Sequence, residues 1–190
     1  MNPSELRGTA EIEIRRLEPA EIEIRRLEPA EIGQHLDALA GVLEDVVAGG
    51  VSVGYMAPFT YDDARVAFEG FATEVVQGHH LLLAGFLDGE LVGTVQVILA
   101  MRPNQLHRGE IVKLLVHRSA RRRGIARQLM EQAEAEAQKE GKTLLVLDTA
   151  DETAERLYLR LGWTVAGVIP GYALFPDGRP SATTLLYKNI

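Results

Sequence analysis

Four arginines surround a single glycine in the segment SARRRGIARQLM, which spans residues 119–130. The segment lies between an apolar stretch that ends near Val116 and a helical pattern that begins near Ile125. Backbone N–H groups at the start of a helix have no partner within the helix, so they form a natural anion site. Cationic side chains there oppose the helix dipole unless an anion is bound. The sequence therefore predicts a site for a small ligand that carries phosphate.

The residue types in this segment suit a diphosphate. Gly124 lets the backbone approach a phosphate closely, and the small side chain of Ala126 leaves the first helical turn uncrowded. The guanidinium groups add charge-assisted hydrogen bonds. The sequence contains no GxxxxGK[ST] and no GxGxxG after its first strand, which argues against ATP and NAD. The residues predicted to contact the ligand are Arg121, Arg122, Arg123, Gly124, Ile125, Ala126 and Arg127.

The composition limits the partners of this segment. The chain has 190 residues, of which 20 are basic and 27 acidic, so its formal net charge is −7. Broad nucleic-acid binding needs a basic face, which such a chain does not favour. Cysteine is absent from the sequence, which excludes disulfides and a cysteine nucleophile. The histidines lack metal-site spacing, so no metal is expected. The start resembles no signal peptide and no apolar run could cross a bilayer, so we expect a cytoplasmic protein without a membrane partner.

A duplicated decapeptide marks the start of the predicted domain. EIEIRRLEPA occurs at residues 11–20 and again at residues 21–30. Only the second copy runs directly into a helical pattern, so we assign the first strand to it. Residues 1–20 are predicted to form an extra arm that could add an edge strand, and residues 21–190 to form one domain.

The periodicity of apolar residues predicts the elements that position the arginine segment. Asp88-Gly89 is a strong hairpin signal, and the spacing of Thr149 and Glu152 is typical of a capping box. The order is β, α, α, β, β, β, α, β, α, β, β, which predicts a mixed α/β sheet. After the first strand, helices are expected over 32–47, 61–77, 125–139 and just after 149, and strands over 80–87, 90–99, 110–117, 142–149, 163–169 and 182–188, with the turn-rich PGYALFPDGRPS between the last two.

Two motifs carry a family resemblance. RRRGIA matches the pattern [QR]xxGx[GA], and ETAERLYLRLGW, close to AxxLYxxxGF, follows at the right distance. On these motifs the sequence resembles the GNAT N-acetyltransferases over residues 21–190. The resemblance implies a largely antiparallel sheet flanked by helices, with acetyl-CoA as cosubstrate and its pyrophosphate on the arginine loop. Arg118 and Arg122 depart from the family, which often has proline and glycine there.

Within that family the chain is similar to the tabtoxin-resistance type of acetyltransferase. The segments that carry this similarity are GGVSVGYM, GEIVKLLVHRSARRRGIARQLM, LLVLDT and PGYALFPDGRPSAT. The similarity implies toxin resistance and a small amine acceptor that resembles an amino acid. The exposed end strands of such a sheet would also allow pairing into a homodimer.

Acyl transfer to an amine requires a base, because an alkyl amine has a pKa of about 10.4. Glu110 and Asp148 are the candidate bases, and the resemblance points to both. Glu110 could instead be a solvated strand residue, and Asp148 a helix cap. Tyr158 matches the tyrosine that acts as acid in the family, since a phenol with a pKa of about 10 keeps a proton for the CoA thiolate. Its alternative role is that of a core aromatic.

The remaining candidate residues complete the predicted site. A backbone N–H near Leu115 or Val116 is expected to polarise the thioester carbonyl. The resemblance adds Asp151 to the cofactor contacts. The loop between the first two helices is predicted to contact the acceptor or, alternatively, only to cap the core. Two other functions stay open, a noncatalytic acyl-CoA-binding module and a protein or peptide N-acetyltransferase. The acceptor-contacting residues predicted in the loop are Tyr55, Met56 and Phe59.

Overall fold

The structure is a computed structural model that describes residues 20–190. The arm predicted over residues 1–20, including the first copy of the decapeptide, lies outside the described residues apart from its last position. Within the described residues, one seven-stranded sheet carries helices on both faces. In chain order the elements are β1 (Ile22–Arg26), α1 (Pro29–Ala48), α2 (Tyr61–Val76), β2 (His80–Leu87), β3 (Glu90–Ile98), β4 (Arg108–Val116), α3 (Ile125–Lys139), β5 (Leu144–Thr149), α4 (Glu152–Arg160), β6 (Thr164–Leu174) and β7 (Pro180–Asn189).

The sheet has the strand order β1-β2-β3-β4-β5-β7-β6. Neighbouring strands pair antiparallel except β4 and β5, which are parallel. The predicted class, a mixed α/β fold with a largely antiparallel sheet flanked by helices, is confirmed. The predicted order of elements is also found.

Local chemistry explains where several elements begin and turn. At the start of α1 the Glu31 carboxylate accepts from the backbone N–H of Glu28 at 2.9 Å, and Pro29 occupies the first turn. Asp88 and Gly89 have φ values of 51° and 84°, as the tight turn between β2 and β3 requires. The predicted hairpin is therefore confirmed.

Two local predictions near the end of the chain are wrong. Asp151, not Thr149, caps α4, because the Asp151 carboxylate accepts from the backbone of Thr153 at 2.6 Å. The Thr149 hydroxyl instead accepts from the Asp151 backbone at 3.1 Å. The segment predicted to be turn-rich lies mostly in β6 and β7. Its proline and glycine fit inside β6 because the pairing shifts register between Ile169 and Ala173, where no regular ladder is needed.

Two hydrophobic cores lie on opposite faces of the sheet. Alternate residues of β2 divide between them, since Leu82 packs with α1 and α2 whereas Leu83 packs with α3. The core under α3 also holds Tyr158 and Trp163. Between residues 20 and 190, no helix combines the length and apolar character needed to cross a membrane.

A pair of glycines sets the height of α3 above the sheet. Gly85 on β2 and Gly93 on β3 are direct cross-strand partners. A Cβ on Gly85 would lie 2.9 Å from Cγ2 of Ile125, and one on Gly93 would lie 3.3 Å from the same atom. The first residue of α3 therefore rests on bare backbone. This contact positions the loop that precedes α3.

Candidate active site

An extra residue in β4 shapes the middle of the sheet. Thr94 of β3 pairs with Leu115, but Gln96 pairs with Val112, so one residue of β3 faces two of β4. Lys113, inside this bulge, has a φ of 53°, which is rare for a residue with a side chain. The bulge thus stores backbone strain where β4 approaches its end.

A cleft opens beside this bulge, because β4 and β5 pair only as far as Glu110 and Val146. Beyond that point β5 continues along β7. The cleft has a volume of about 320 Å³. It is lined by Val51, Ser52, Val53, Gly54, Ile111, Val112, Lys113, Leu114, Asp148, Thr149, Ala150, Asp151, Ala154, Tyr158, Tyr172, Ala173 and Thr183.

Lys113 contributes a positive charge to the wall of this cleft. Its Nζ donates a hydrogen bond of 2.5 Å to the Val53 carbonyl and lies 5.0 Å from the centroid of the Tyr55 ring. A Cβ on Gly54 would lie 3.3 Å from the same Nζ, so the loop approaches it closely. Burial lowers the pKa of Lys113, and the Asp148 carboxylate partly opposes this shift.

Asp148 and Tyr158 lie in the same cleft on β5 and α4. Desolvation raises the pKa of Asp148, although Lys113 favours its charged form. The side chain of Asp148 is nevertheless exposed to solvent on one side, so water can reach its carboxylate. Tyr158 is 5% exposed, and burial together with the carboxylates of Asp151 and Asp148 raises its pKa well above the ordinary value. The tyrosine therefore keeps its proton throughout the physiological pH range.

The loop before α3 has the backbone shape of an anion site. Arg122 and Gly124 have φ values of 64° and 87°, and Gly124 is the N-cap of α3. Such left-handed residues arrange backbone N–H groups into concave anion sites. The left-handed conformation at position 122 is one that glycine adopts without strain. Arg122 therefore adds a charge at the cost of backbone strain.

The arginines of this loop divide into two groups. Arg121 donates through Nε to the Val116 carbonyl at 3.1 Å, and Arg127 pairs with Glu131 one helical turn later at 2.8 Å. Arg122 and Arg123 are exposed and take no part in the ion pairs found among residues 20–190. These two side chains are thus available to an approaching anion.

Arg118 forms hydrogen bonds with Asp45 on α1, a contact that the sequence did not predict. Its backbone N–H and its Nε both donate to the Asp45 carboxylate at 2.8 Å. Desolvation opposes ionisation of Asp45, but the hydrogen bonds from Arg118 outweigh it and lower the pKa of Asp45. Arg118 therefore fixes the loop to the last turn of α1.

The structure brings some predicted site residues into the cleft and leaves others outside it. Asp148, Asp151 and Tyr158 line it together, although the Asp151 carboxylate also caps α4. Glu110 precedes the bulge and is not among the residues that line this cleft. Because Ile111 packs under α3, strand alternation places Glu110 on the opposite face, toward α1 and α2.

The loop between α1 and α2 reaches the cleft with its first part. Residues 51–54 line the cleft, whereas Tyr55 and Phe59 line a separate groove against α2. Met56 is 46% exposed. The Ser52 hydroxyl donates to the Leu174 carbonyl at 2.8 Å and ties this part of the loop to β6.

Leu115 and Val116 end β4 immediately after the bulge. Leu115 is buried against α1 and α2, and Val116 packs partly against the core under α3. Neither side chain lines the cleft, which leaves their backbone as the part that can contribute to chemistry. Sequence reasoning missed Lys113; the available signal was a lone charge inside the apolar run IVKLLV.

Comparisons with known proteins agree with this fold. The family model of the acetyltransferase (GNAT) family matches residues 51–163. A protein of Azospirillum brasilense named as an uncharacterized N-acetyltransferase is 32% identical over 119 residues, which cover 61% of this chain and 68% of the relative. An N-acetyltransferase structure from Staphylococcus aureus has a TM-score of 0.74 at 21% identity and covers 89% of this chain and 98% of its own.

A second structure, of a putative acetyltransferase from Salmonella typhimurium with its cofactor acetyl-CoA, has a TM-score of 0.71. It is 18% identical, and the match covers 88% of this chain and 93% of that one. Since the family model spans more than half of the sequence, the chain belongs to the GNAT acetyltransferase family. It is an N-acetyltransferase that takes its acetyl group from acetyl-CoA.

Proposed function

We propose that the acceptor is the amine of a small molecule that resembles an amino acid, and that acetyl transfer to it is direct. The observation that carries this proposal is the cleft in which Lys113, Asp148 and Tyr158 lie together. A volume of about 320 Å³ suits a small ligand better than a folded protein surface.

The charges of the cleft support an acceptor with two charged groups. A carboxylate on the acceptor would pair with the ammonium of Lys113, and its amine would lie toward Asp148. Lys113 and Asp148 influence each other's pKa but are not among the contact ion pairs of residues 20–190, so neither charge is neutralised by a direct ion pair with the other. A carboxylate and an amine close together are the defining groups of an amino acid.

Each step of the transfer has a candidate residue. Asp148 takes the proton from the acceptor amine, directly or through a water molecule, and its raised pKa makes it a stronger base than an ordinary aspartate. Glu110 remains the alternative base. Tyr158 holds the proton that the CoA thiolate needs.

The loop before α3 fits the pyrophosphate of acetyl-CoA. Its left-handed residues, the free N-terminus of α3 and the exposed Arg122 and Arg123 supply N–H groups and positive charge at one place. A backbone N–H near Leu115 or Val116 would polarise the thioester carbonyl at the end of the bulged strand. Acetyl-CoA itself supplies the activated acetyl group. Location in the cytoplasm, a role in toxin resistance and a homodimer stay predictions.

The test is release of free CoA thiol from acetyl-CoA with matched acceptors. Each amino acid is compared with its decarboxylated amine and with its carboxyl amide, and polyamines, amine antibiotics and short peptides complete the set. We expect the free amino acid, or an antibiotic that contains this group, to react fastest. Product mass identifies the acetylated amine.

Three results would overturn the proposal. Preference for peptides or proteins over free amines would assign the chain to the protein acetyltransferases. Equal rates for an amino acid and its decarboxylated amine would remove the carboxylate from recognition. Acetyl-CoA binding without turnover of any acceptor would favour a noncatalytic acyl-CoA-binding module.

A further inference from the structure

Lys113 places a primary amine inside the cleft in which acetyl transfer is proposed above. It shares that cleft with Asp148 and Tyr158. Its hydrogen bond to Val53 and its position above the Tyr55 ring hold the amine at the cleft wall rather than in open solvent. These contacts therefore keep the amine nitrogen of Lys113, which is a nucleophile when neutral, in the same cleft as Asp148 and Tyr158.

The environment also changes the protonation of this amine. Burial lowers the pKa of Lys113, and the Asp148 carboxylate only partly opposes the shift. At a given pH the neutral fraction of Lys113 is therefore larger than that of a solvated lysine, and the neutral amine is the nucleophile. The same residues that would prepare an acceptor amine thus act on Lys113.

We propose that Lys113 is an internal acetyl acceptor, which the enzyme acetylates when no acceptor amine fills the cleft. This inference rests on the roles proposed above for Asp148 and Tyr158. A bond forms between Nζ and the acetyl carbonyl carbon, and the bond between that carbon and the CoA sulfur breaks. Nζ gives a proton to Asp148, and the thiolate receives one from Tyr158. Exchange with solvent then restores both residues, and the products are acetyl-lysine and free CoA.

Acetylation would change the cleft in two ways. The amide of acetyl-lysine carries no charge, so Asp148 would lose the cation that favours its ionised form. The amide also has a single N–H, whereas the ammonium has three donors. We expect the acetylated enzyme to turn over more slowly. An acceptor carboxylate bound to Lys113 would stabilise the ammonium form and protect it from acetylation.

Peptide mapping gives a direct readout of this modification. The full chain is incubated with acetyl-CoA without an acceptor, digested with trypsin and analysed by mass spectrometry. Trypsin does not cut after acetyl-lysine, so the peptide covering residues 109–118 remains whole only when Lys113 is acetylated. The lysines of the chain are Lys113, Lys139, Lys142 and Lys188, so the other three serve as internal controls.

Lys142 is the most stringent of these controls. It is buried, and desolvation lowers its pKa as well, but its Nζ donates to the carbonyls of Leu99 and Leu106 at 2.8 and 2.9 Å, away from the cleft. Lys139 is exposed on α3. We expect the acetyl group on Lys113, with little on Lys142 or Lys139. An amino-acid acceptor should slow its accumulation.

Two variants separate enzymatic from chemical acetylation. Lys113→Arg keeps a cation but cannot form acetyl-lysine, so its activity should not decline during preincubation with acetyl-CoA. Tyr158→Phe should slow acetylation of Lys113 by about 10²-fold or more, because the thiolate loses its proton donor. A decline of the Lys113→Arg variant equal to that of the parent chain would contradict the proposal.

Three further outcomes would disprove the internal acceptor. If acceptors are acetylated while the peptide of residues 109–118 is always cut at Lys113, the internal acceptor is disproved and the proposed function stands. Equal acetylation of Lys113 and Lys139, unaffected by Tyr158→Phe, would indicate simple chemical reaction with the thioester and would also disprove it. Absence of both acceptor and internal acetylation would overturn the proposed function together with the inference.

Discussion

The loop before α3 and the cleft beside Tyr158 hold charge in different ways. The loop presents exposed arginines and backbone N–H groups from consecutive residues. The cleft combines Lys113, Asp148 and Tyr158 from three separate elements, and burial shifts the pKa of each. A ligand that is itself highly charged can be bound by solvated groups, whereas proton transfer requires groups whose pKa the protein has changed. Substitutions should therefore separate binding from chemistry.

The largest effect should come from the cleft. Tyr158→Phe is expected to lower kcat by about 10²-fold or more, since it removes the proton donor for the CoA thiolate. The dissociation constant for acetyl-CoA, measured by calorimetry, should change little, because the loop before α3 is intact. A normal kcat would remove Tyr158 from its proposed role, and a matching loss of acetyl-CoA affinity would erase the contrast between the two regions.

A matched pair of substitutions separates the two candidate bases. Asp148→Asn should lower kcat by about 10²-fold, whereas Glu110→Gln should lower it by less than about tenfold. The reason is that Asp148 lines the cleft with Tyr158, and Glu110 does not. Steady-state rates with a saturating acceptor provide the comparison. The reverse order of losses would make Glu110 the base.

The third prediction concerns pH. The pKa of Asp148 is raised, so kcat/KM should fall with decreasing pH at values above those typical of an exposed aspartate. Lys113 favours the charged form of Asp148, so Lys113→Met should raise the pKa further and move this acid limb to higher pH. Tyr158 on α4 and Asp151 at its cap also face this group and are retained. Lys113→Arg, which keeps the charge, is the control, and an acid limb that Lys113→Met leaves in place would contradict the coupling.

A smaller effect is expected in the loop. Arg123→Glu reverses one exposed charge beside the predicted pyrophosphate, and we expect acetyl-CoA affinity to fall by about tenfold with little change in kcat. Arg127→Glu is a useful comparison, because Arg127 already pairs with Glu131 on the helix surface. Equal affinity for Arg123→Glu and the parent chain would mean that the backbone N–H groups suffice for binding.

The smallest effect concerns the strain at Arg122. Glycine adopts a φ of 64° without steric cost, so Arg122→Gly should raise the free energy of unfolding, by about 0.5–1 kcal/mol. Denaturant unfolding of the protein without acetyl-CoA measures this change, and Arg123→Gly is the matched control at a neighbouring position. A loss of stability equal to that of the control would show that the left-handed conformation carries no strain.

The difference between the two regions also explains what the sequence could predict. The loop before α3 and Tyr158 belong to contiguous motifs, so residue order alone predicted their places in the fold. The role of Lys113 depends on one extra residue in β4, and EIVKLLVH resembles an ordinary strand because a bulge leaves little trace in composition.

The loop between α1 and α2 illustrates the same limit. Its aromatic residues, Tyr55 and Phe59, suggested an acceptor contact by their type. In the structure Val53 and Gly54 line the cleft, because the hydrogen bond from Lys113 to the Val53 carbonyl fixes that end of the loop. A contact between residues 60 positions apart has no local signature.

The bulge in β4 also affects how the protein unfolds. Before it, Ile111 belongs to the core under α3, and after it, Leu115 belongs to the core under α1 and α2. Like β2, β4 therefore contributes to both cores, and neither core can open at these strands without disturbing the other. We expect the amides of β4 to exchange with solvent only through global unfolding, so the two faces should melt as one cooperative unit.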